Sequence, residues 1–210
     1  MAHVLYIEGS PNKGHSASIE VCNAFLDAYR LEHPDHVIRK LDIWDLAMPE
    51  FDADALAAKY AGLSGTALTP AQAAAWRGIE ELAAPFHEAD KFLFGVPLWN
   101  FSIPYKLKHL IDVISQKDVL FTFDSSGFAG MLRGKKAAVV YARGLSYTSP
   151  GSFTPASEFD LQRPYMETWL KFVGVKDIVG IVVERTLFGP DGKADRSSAI
   201  EEARAIARAF

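Results

Sequence analysis

The sequence predicts an α/β fold: a doubly wound, five-stranded parallel sheet of order 2-1-3-4-5, with helices on both faces and residues 1–210 forming one domain. Three observations predict it. Short apolar runs of strand length alternate along the chain with stretches of helical periodicity, a pattern that gives a parallel sheet covered on both sides. Right-handed crossovers then leave few orders for five such strands. Loops rich in Gly, Ser, Pro and aromatic residues follow the first, third and fourth runs, at the edge where open α/β sheets bind ligands.

His3 to Ile7 is a buried strand ended by Gly9 and Pro11. Ser16 caps a helix whose apolar face is Ile19, Cys22, Phe25, Leu26 and Tyr29, running to about Glu32. His33-Pro34-Asp35 stops it, and Val37 to Ile43 is the second strand. Met48 to Ala89 holds two helices, the second opened by Thr69-Pro70 with proline at the first helical position. Lys91 to Val96 is the third strand, followed by an amphipathic helix through Ile103, Leu107, Leu110, Ile111 and Ile114. Arg133-Gly134 turns into the fourth strand, Lys135 to Tyr141. Pro164 to Phe172 is helical, Ile178 to Val183 is the fifth strand, and Arg196 to Ala209 is a polar-faced helix. The switch point of this flavodoxin-like order lies between strands one and three, and the loops beginning at Glu8, Pro97 and Ala142 emerge beside it.

Composition excludes several function classes. The net charge of -4, without a dense Lys/Arg cluster, argues against nucleic-acid binding. No apolar run approaches the ~20 residues needed to span a bilayer, and the first residues lack a signal-peptide pattern, so a cytoplasmic protein is expected. The one cysteine, Cys22, allows no intrachain disulfide and sits on an apolar helix face, which makes it a small core residue rather than a nucleophile. His33 and His36 flank Pro34 and do not form a metal site. Trp44, Trp76 and Trp169 are expected in the core or a dimer interface.

The first loop, Gly9 to Ser16, combines two glycines, the hydroxyls of Ser10 and Ser16, with Ser18 just beyond, and the start of a helix. Free N–H groups and the positive dipole end there suit a phosphate; the alternative is a plain turn with a serine cap. Gly9-x4-Gly14-His15-Ser16 is one residue from a triphosphate-binding loop, but His15 replaces the lysine and no aspartate ends the third strand. An imidazole is a poor substitute for that fixed charge. The dinucleotide pattern G-x-G-x-x-G is absent as well.

The second loop, Pro97-Leu98-Trp99-Asn100-Phe101-Ser102-Ile103-Pro104, sets two aromatics between stiffening prolines, suited to holding a flat ring or to plugging the end of the sheet. In the third, Ala142-Arg143-Gly144-Leu145, Gly144 lets the chain pass close to a ligand or makes a turn. Arg143 either stabilises developing negative charge or pairs with a surface carboxylate. Tyr147 to Asp160 is an active-site flap or a surface loop.

Taken together, Ser10-Pro11 with Ser16-Ala17-Ser18, the Pro97–Pro104 loop leading into Leu107-Lys108 and Ile111-Asp112, Leu132-Arg133-Gly134-Lys135-Lys136, Arg143-Gly144, Pro164-Tyr165 and Phe172-Val173-Gly174-Val175 carry a resemblance. Nearly end to end, the chain resembles the flavodoxin-like FMN-dependent NADH azoreductases, which also act as NAD(P)H:quinone reductases. That resemblance implies FMN as cofactor, NADH or NADPH as donor, a quinone or azo acceptor, and ping-pong two-electron transfer. It implies that Ser10, Ser16, Ser18 and the backbone at Ala17 hold the phosphate. Leu98, Trp99, Asn100 and Phe101 would line the isoalloxazine, with Ala142, Arg143 and Gly144 along its pyrimidine side. It further implies a homodimer with sites at the interface, where Phe123 and Phe172 become aromatic walls for substrate. No separate catalytic side chain is needed, since the flavin carries the chemistry. Two departures concern the acceptor: Ala142 and Leu145 replace a Ser and a Gly of the family's third loop, and the segment 146–160 is long. A flavodoxin-like electron carrier is the alternative function; carriers are typically more acidic than this chain.

Overall fold

In the computed structural model, which describes residues 1–187 and 191–210, the five parallel strands follow the expected order. They are β1 (His3–Glu8), β2 (Val37–Asp42), β3 (Lys91–Pro97), β6 (Lys136–Ala142) and β7 (Asp177–Val183), arranged β2-β1-β3-β6-β7. Ile7 stands between Leu41 and Phe94, and Val140 between Gly95 and Ile181, so the strands finish level at one edge.

Side chains alternate across the sheet with the two-residue period of a strand. Val4 and Tyr6 of β1 join Leu93, Ala138 and Val140 in a core closed by α1 (Ala17–Glu32) and α7 (Asp191–Ala209). Leu5 and Ile7 join Phe92, Phe94 and Val139 in the opposite core. That side is closed by α3 (Pro70–Glu88), α4 (Tyr105–Ile114) and α6 (Gln162–Phe172). The shorter α2 (Ala53–Ser64) rests on α3, and α3 opens with a capping box in which Thr69 and Gln72 exchange hydrogen bonds. Cys22 is wholly buried against Gly95, and desolvation pushes its thiol well above the usual range, so it is an inert core residue. Among the described residues no helix is long and apolar enough to cross a membrane.

Two features go beyond the sequence expectation. A second, two-stranded antiparallel sheet, β4 (Phe121–Asp124) with β5 (Gly127–Gly130), lies between α4 and β6 in the chain, in a stretch to which the sequence assigns no element. Its strands are too short for a two-residue alternation to stand out. Gly130 is seated on the Val173-Gly174 backbone, where a Cβ would lie 2.1 Å from Val173 C. The segment 146–160, expected to be a flap or loop, includes a short helix α5 (Ala156–Phe159).

Candidate functional site

The loops after β1, β3, β6 and β7 meet at the carboxyl edge around a cleft of about 490 Å³. The first loop is shaped by backbone contacts. Gly9 N donates to Gly95 O (2.9 Å), and a Cβ on Gly9 would stand 2.5 Å from that same carbonyl, so the glycine serves close approach of β1 to β3. Gly14 stands in open space. Trp44 Nε1 donates to Gly9 O (3.0 Å), and the Trp44 ring packs on Trp99 and Tyr105, which joins the first loop to the second. Trp44 packs against the core, as expected, and from there braces the two loops from behind.

Ser16 is the N-cap of α1: its backbone is extended and its Oγ accepts from Ile19 N at 3.5 Å. Ser18, fully buried at the second position of α1, bonds Ser16 Oγ (3.0 Å), so it orients the cap rather than facing the cleft. The N–H groups of Ala17 and Ser18 have no protein partner among the described residues, as expected at a helix start. Lys13 points elsewhere. Its ammonium is held by Glu8 (2.7 Å), Asp42 and Ser10 O (3.0 Å).

The second loop turns within two residues. Trp99 and Ser102 exchange N–H···O bonds (3.1 and 2.9 Å) while Asn100 and Phe101 take φ of 45° and 71°. Such a tight return demands the left-handed region at both central positions. Asn tolerates it; a phenylalanine there is strained, a condition that concentrates at functional sites. The strain is held by Leu161 N bonding Phe101 O (2.9 Å) and by the Phe101 ring on Phe159. The Asn100 and Phe101 N–H groups are left without protein partners among the described residues.

Behind the third loop lies a buried ionic cluster. The Arg143 side chain is 2% exposed and bonds Asp160, Glu184 (3.2 Å) and Gln162 (3.3 Å). Neither sequence reading of Arg143 holds for its side chain: it faces neither the cleft nor an exposed carboxylate, because the buried Glu184 and part-buried Asp160 need its charge. Glu184 Oε2 in turn accepts from Tyr147 N (3.0 Å) and Thr148 Oγ1 (2.9 Å), fixing the start of the 146–160 segment, and Gln162 Nε2 donates to Val96 O (2.8 Å) at the end of β3. Burial pushes the Tyr147 phenol up, against the pull of the Arg143 charge, so it stays protonated near neutrality.

These residues fit FMN. Unpartnered N–H groups and serine hydroxyls at one end suit a phosphate, and Leu98, Trp99, Leu145 and Tyr147 give apolar and aromatic walls for a flat ring.

The comparisons with known proteins agree. A family model described as a flavodoxin-like fold matches residues 2–207. A Burkholderia lata protein named FMN-dependent NADH:quinone oxidoreductase 9 is 81% identical over 210 residues, all of both chains. The chain belongs to this flavodoxin-like family of NADH:quinone oxidoreductases and azoreductases. Another relative, FMN-dependent NADH:quinone oxidoreductase 3 of Pseudomonas fluorescens, is 46% identical, covering 99% of this chain and 97% of its own. Among solved structures, an azoreductase from Bacillus anthracis str. Sterne superposes with a TM-score of 0.88 at 29% identity over all of both chains. An FMN-dependent NADH-azoreductase from the Ames Ancestor strain, in complex with FMN, gives 0.84 at 25% identity, covering 99% and 98% of the two chains.

In this family member the cleft gathers Ser10, Ser16, Ala17, Leu98, Trp99, Ala142 and Gly144 of the expected residues. Asn100 and Phe101 form the turn beside it, and Ser18 and Arg143 stand behind it. Phe123 and Phe172 are not brought into this cleft. They belong to an aromatic cluster with Phe121 and Phe128 around the hairpin. Sequence reasoning missed Thr186, Leu187 and Arg196, which line the cleft from the fourth loop and α7. The usable signal was topological: the fifth strand also ends at the carboxyl edge.

Proposed function

We propose that the protein is an FMN-dependent oxidoreductase that uses NADH or NADPH to reduce quinones and azo compounds, two electrons at a time. The observation that carries this reading is the pairing, in one cleft, of a phosphate-type helix start at Ser16-Ala17-Ser18 with an aromatic loop at Trp99–Phe101. When bound, FMN supplies the redox chemistry, accepting hydride from a nicotinamide and passing two electrons to the acceptor.

The chain's own residues bind and orient. Ser10, Ser16 and the N–H groups of Ala17 and Ser18 would hold the phosphate, with Ser18 Oγ fixing the Ser16 rotamer. Leu98, Trp99 and the N–H groups of Asn100 and Phe101 would meet the isoalloxazine, and the backbone of Ala142, Arg143 and Gly144 would follow its pyrimidine side. Donors aimed there stabilise negative charge as it develops. Donor and acceptor would use the same face in turn, which is ping-pong kinetics. The alternation of the two cores supports the doubly wound description of the sheet.

A homodimer fits the hairpin. Phe123 is 52% exposed and its neighbour Phe128 more so, an apolar surface suited to covering a partner's cleft, with Phe123 and Phe172 as substrate walls at the interface. A cytoplasmic location accords with the single reduced cysteine. The test is steady-state oxidation of NADH and of NADPH by FMN-loaded protein with a quinone and an azo dye. Parallel double-reciprocal lines are expected; tight FMN binding without turnover of any acceptor would favour the electron-carrier reading.

A further inference from the structure

We propose that Arg196 is the cation of the phosphate end of the cleft, making a charge-assisted contact to the phosphate of the bound flavin; this rests on the FMN reading above. A phosphate carries close to two negative charges at neutral pH, and the loop around it is expected to answer them. Among the described residues lining the cleft, Arg196 is the one with a permanent charge. The permanent charges of the first and third loops are engaged, Lys13 with Glu8 and Asp42, and Arg143 with Asp160 and Glu184, and His15, also on the cleft, is an imidazole without a fixed charge.

The position follows from topology. α1 and α7 pack side by side on one face of the sheet, and both begin at its carboxyl edge. The second turn of α7 therefore stands beside the first turn of α1. Arg196 Nη1 is tethered there by Glu20 Oε2 at 2.9 Å, and Glu20 itself lies in the first turn of α1. Nε and Nη2 have no partner among the described residues. The tether has a second effect. Glu20 beside a phosphate site would repel the anion, and Arg196 offsets that charge while its planar fork keeps donors free.

Flavins with and without the phosphate separate this contact from ring binding. Cofactor-free full-length protein is titrated with FMN and with riboflavin, following flavin fluorescence, for wild type, Arg196→Gln and Arg196→Lys. Arg196→Gln is expected to weaken FMN about tenfold while riboflavin changes less than about twofold. Arg196→Lys should recover part of the FMN preference, and salt should erode that preference in wild type more than in Arg196→Gln. Riboflavin binding also reports that the variant is folded. Equal losses for both flavins, or no loss for either, overturn the contact. Wild-type protein that binds neither flavin overturns the cofactor reading itself, and this contact with it.

Discussion

Lys13 and Glu8 form a 2.7 Å ion pair that turns the first loop's only lysine away from the cleft and ties the loop to the end of β1. Asp42, at the end of β2, takes the same ammonium. The lysine thus holds the backbone of the first loop in place. Lys13→Met should destabilise the cofactor-free protein by about 1–3 kcal/mol, since the buried Glu8 would keep the longer ion pair to Lys40 and a bond from the neutral Tyr6 hydroxyl in place of its close ammonium. Urea unfolding measures it; an unchanged midpoint would remove the clamp.

The same clamp has a pH signature. Burial alone would raise Asp42, but hydrogen bonds from Lys13 and from Trp44 N hold its carboxyl below the usual range. A lowered folded pKa contributes stability above the unfolded value of about 3.9, and that contribution fades as pH falls through the folded one. Lys13 is held above its usual value, because Asp42 and Glu8 outweigh burial. Its contribution is complete below about 10.4 and is lost as pH rises further. The stability gap between wild type and Lys13→Met should therefore be level between about pH 5 and 9 and narrow below about pH 4.

Arg143→Met should cost about 3–5 kcal/mol, because the buried Glu184 and the part-buried Asp160 lose their counter-charge. Arg143→Lys should recover only part of this, lacking the fork that reaches Asp160, Glu184 and Gln162 together. Denaturant unfolding without flavin is the decisive measurement, because a residue that only contacted cofactor would leave it unmoved.

Gly9→Ala places a methyl 2.5 Å from the Gly95 carbonyl, a backbone atom that cannot rotate aside. A loss of about 1–3 kcal/mol is expected, and Gly14→Ala, in open space, serves as the mild comparison.

Phe101→Gly relieves a φ of 71° while giving up the ring on Phe159. Stability should stay within about 1 kcal/mol of wild type, yet quinone turnover should fall severalfold as the second loop loses its fixed shape. A fall in stability with unchanged turnover would place the value of the strained turn in packing alone.

The homodimer reading is checked by sedimentation. Phe123→Ser should raise the protein concentration needed for association, and wild type that stays monomeric at about 100 μM would refute it.

Much of this was legible in the sequence because it depends on local order. Short apolar runs and helical periodicity placed the five strands, and Ser16 marked the start of α1 where the structure has it. The crossover rule then sent the loops at Gly9, Pro97 and Ala142 to one edge. What the tertiary structure decided was the direction of individual side chains. Arg143 and Lys13 look like free cations in the chain, and they are committed to carboxylates 17, 41, 5 and 29 residues away along it, at Asp160, Glu184, Glu8 and Asp42. Such partners are chosen by burial, since a charge leaving water takes whichever counter-charge the packed strands bring to it. Arg196, 176 residues from Glu20, reaches the cleft for the same reason: helices that close one face of a sheet become neighbours only after the sheet has formed.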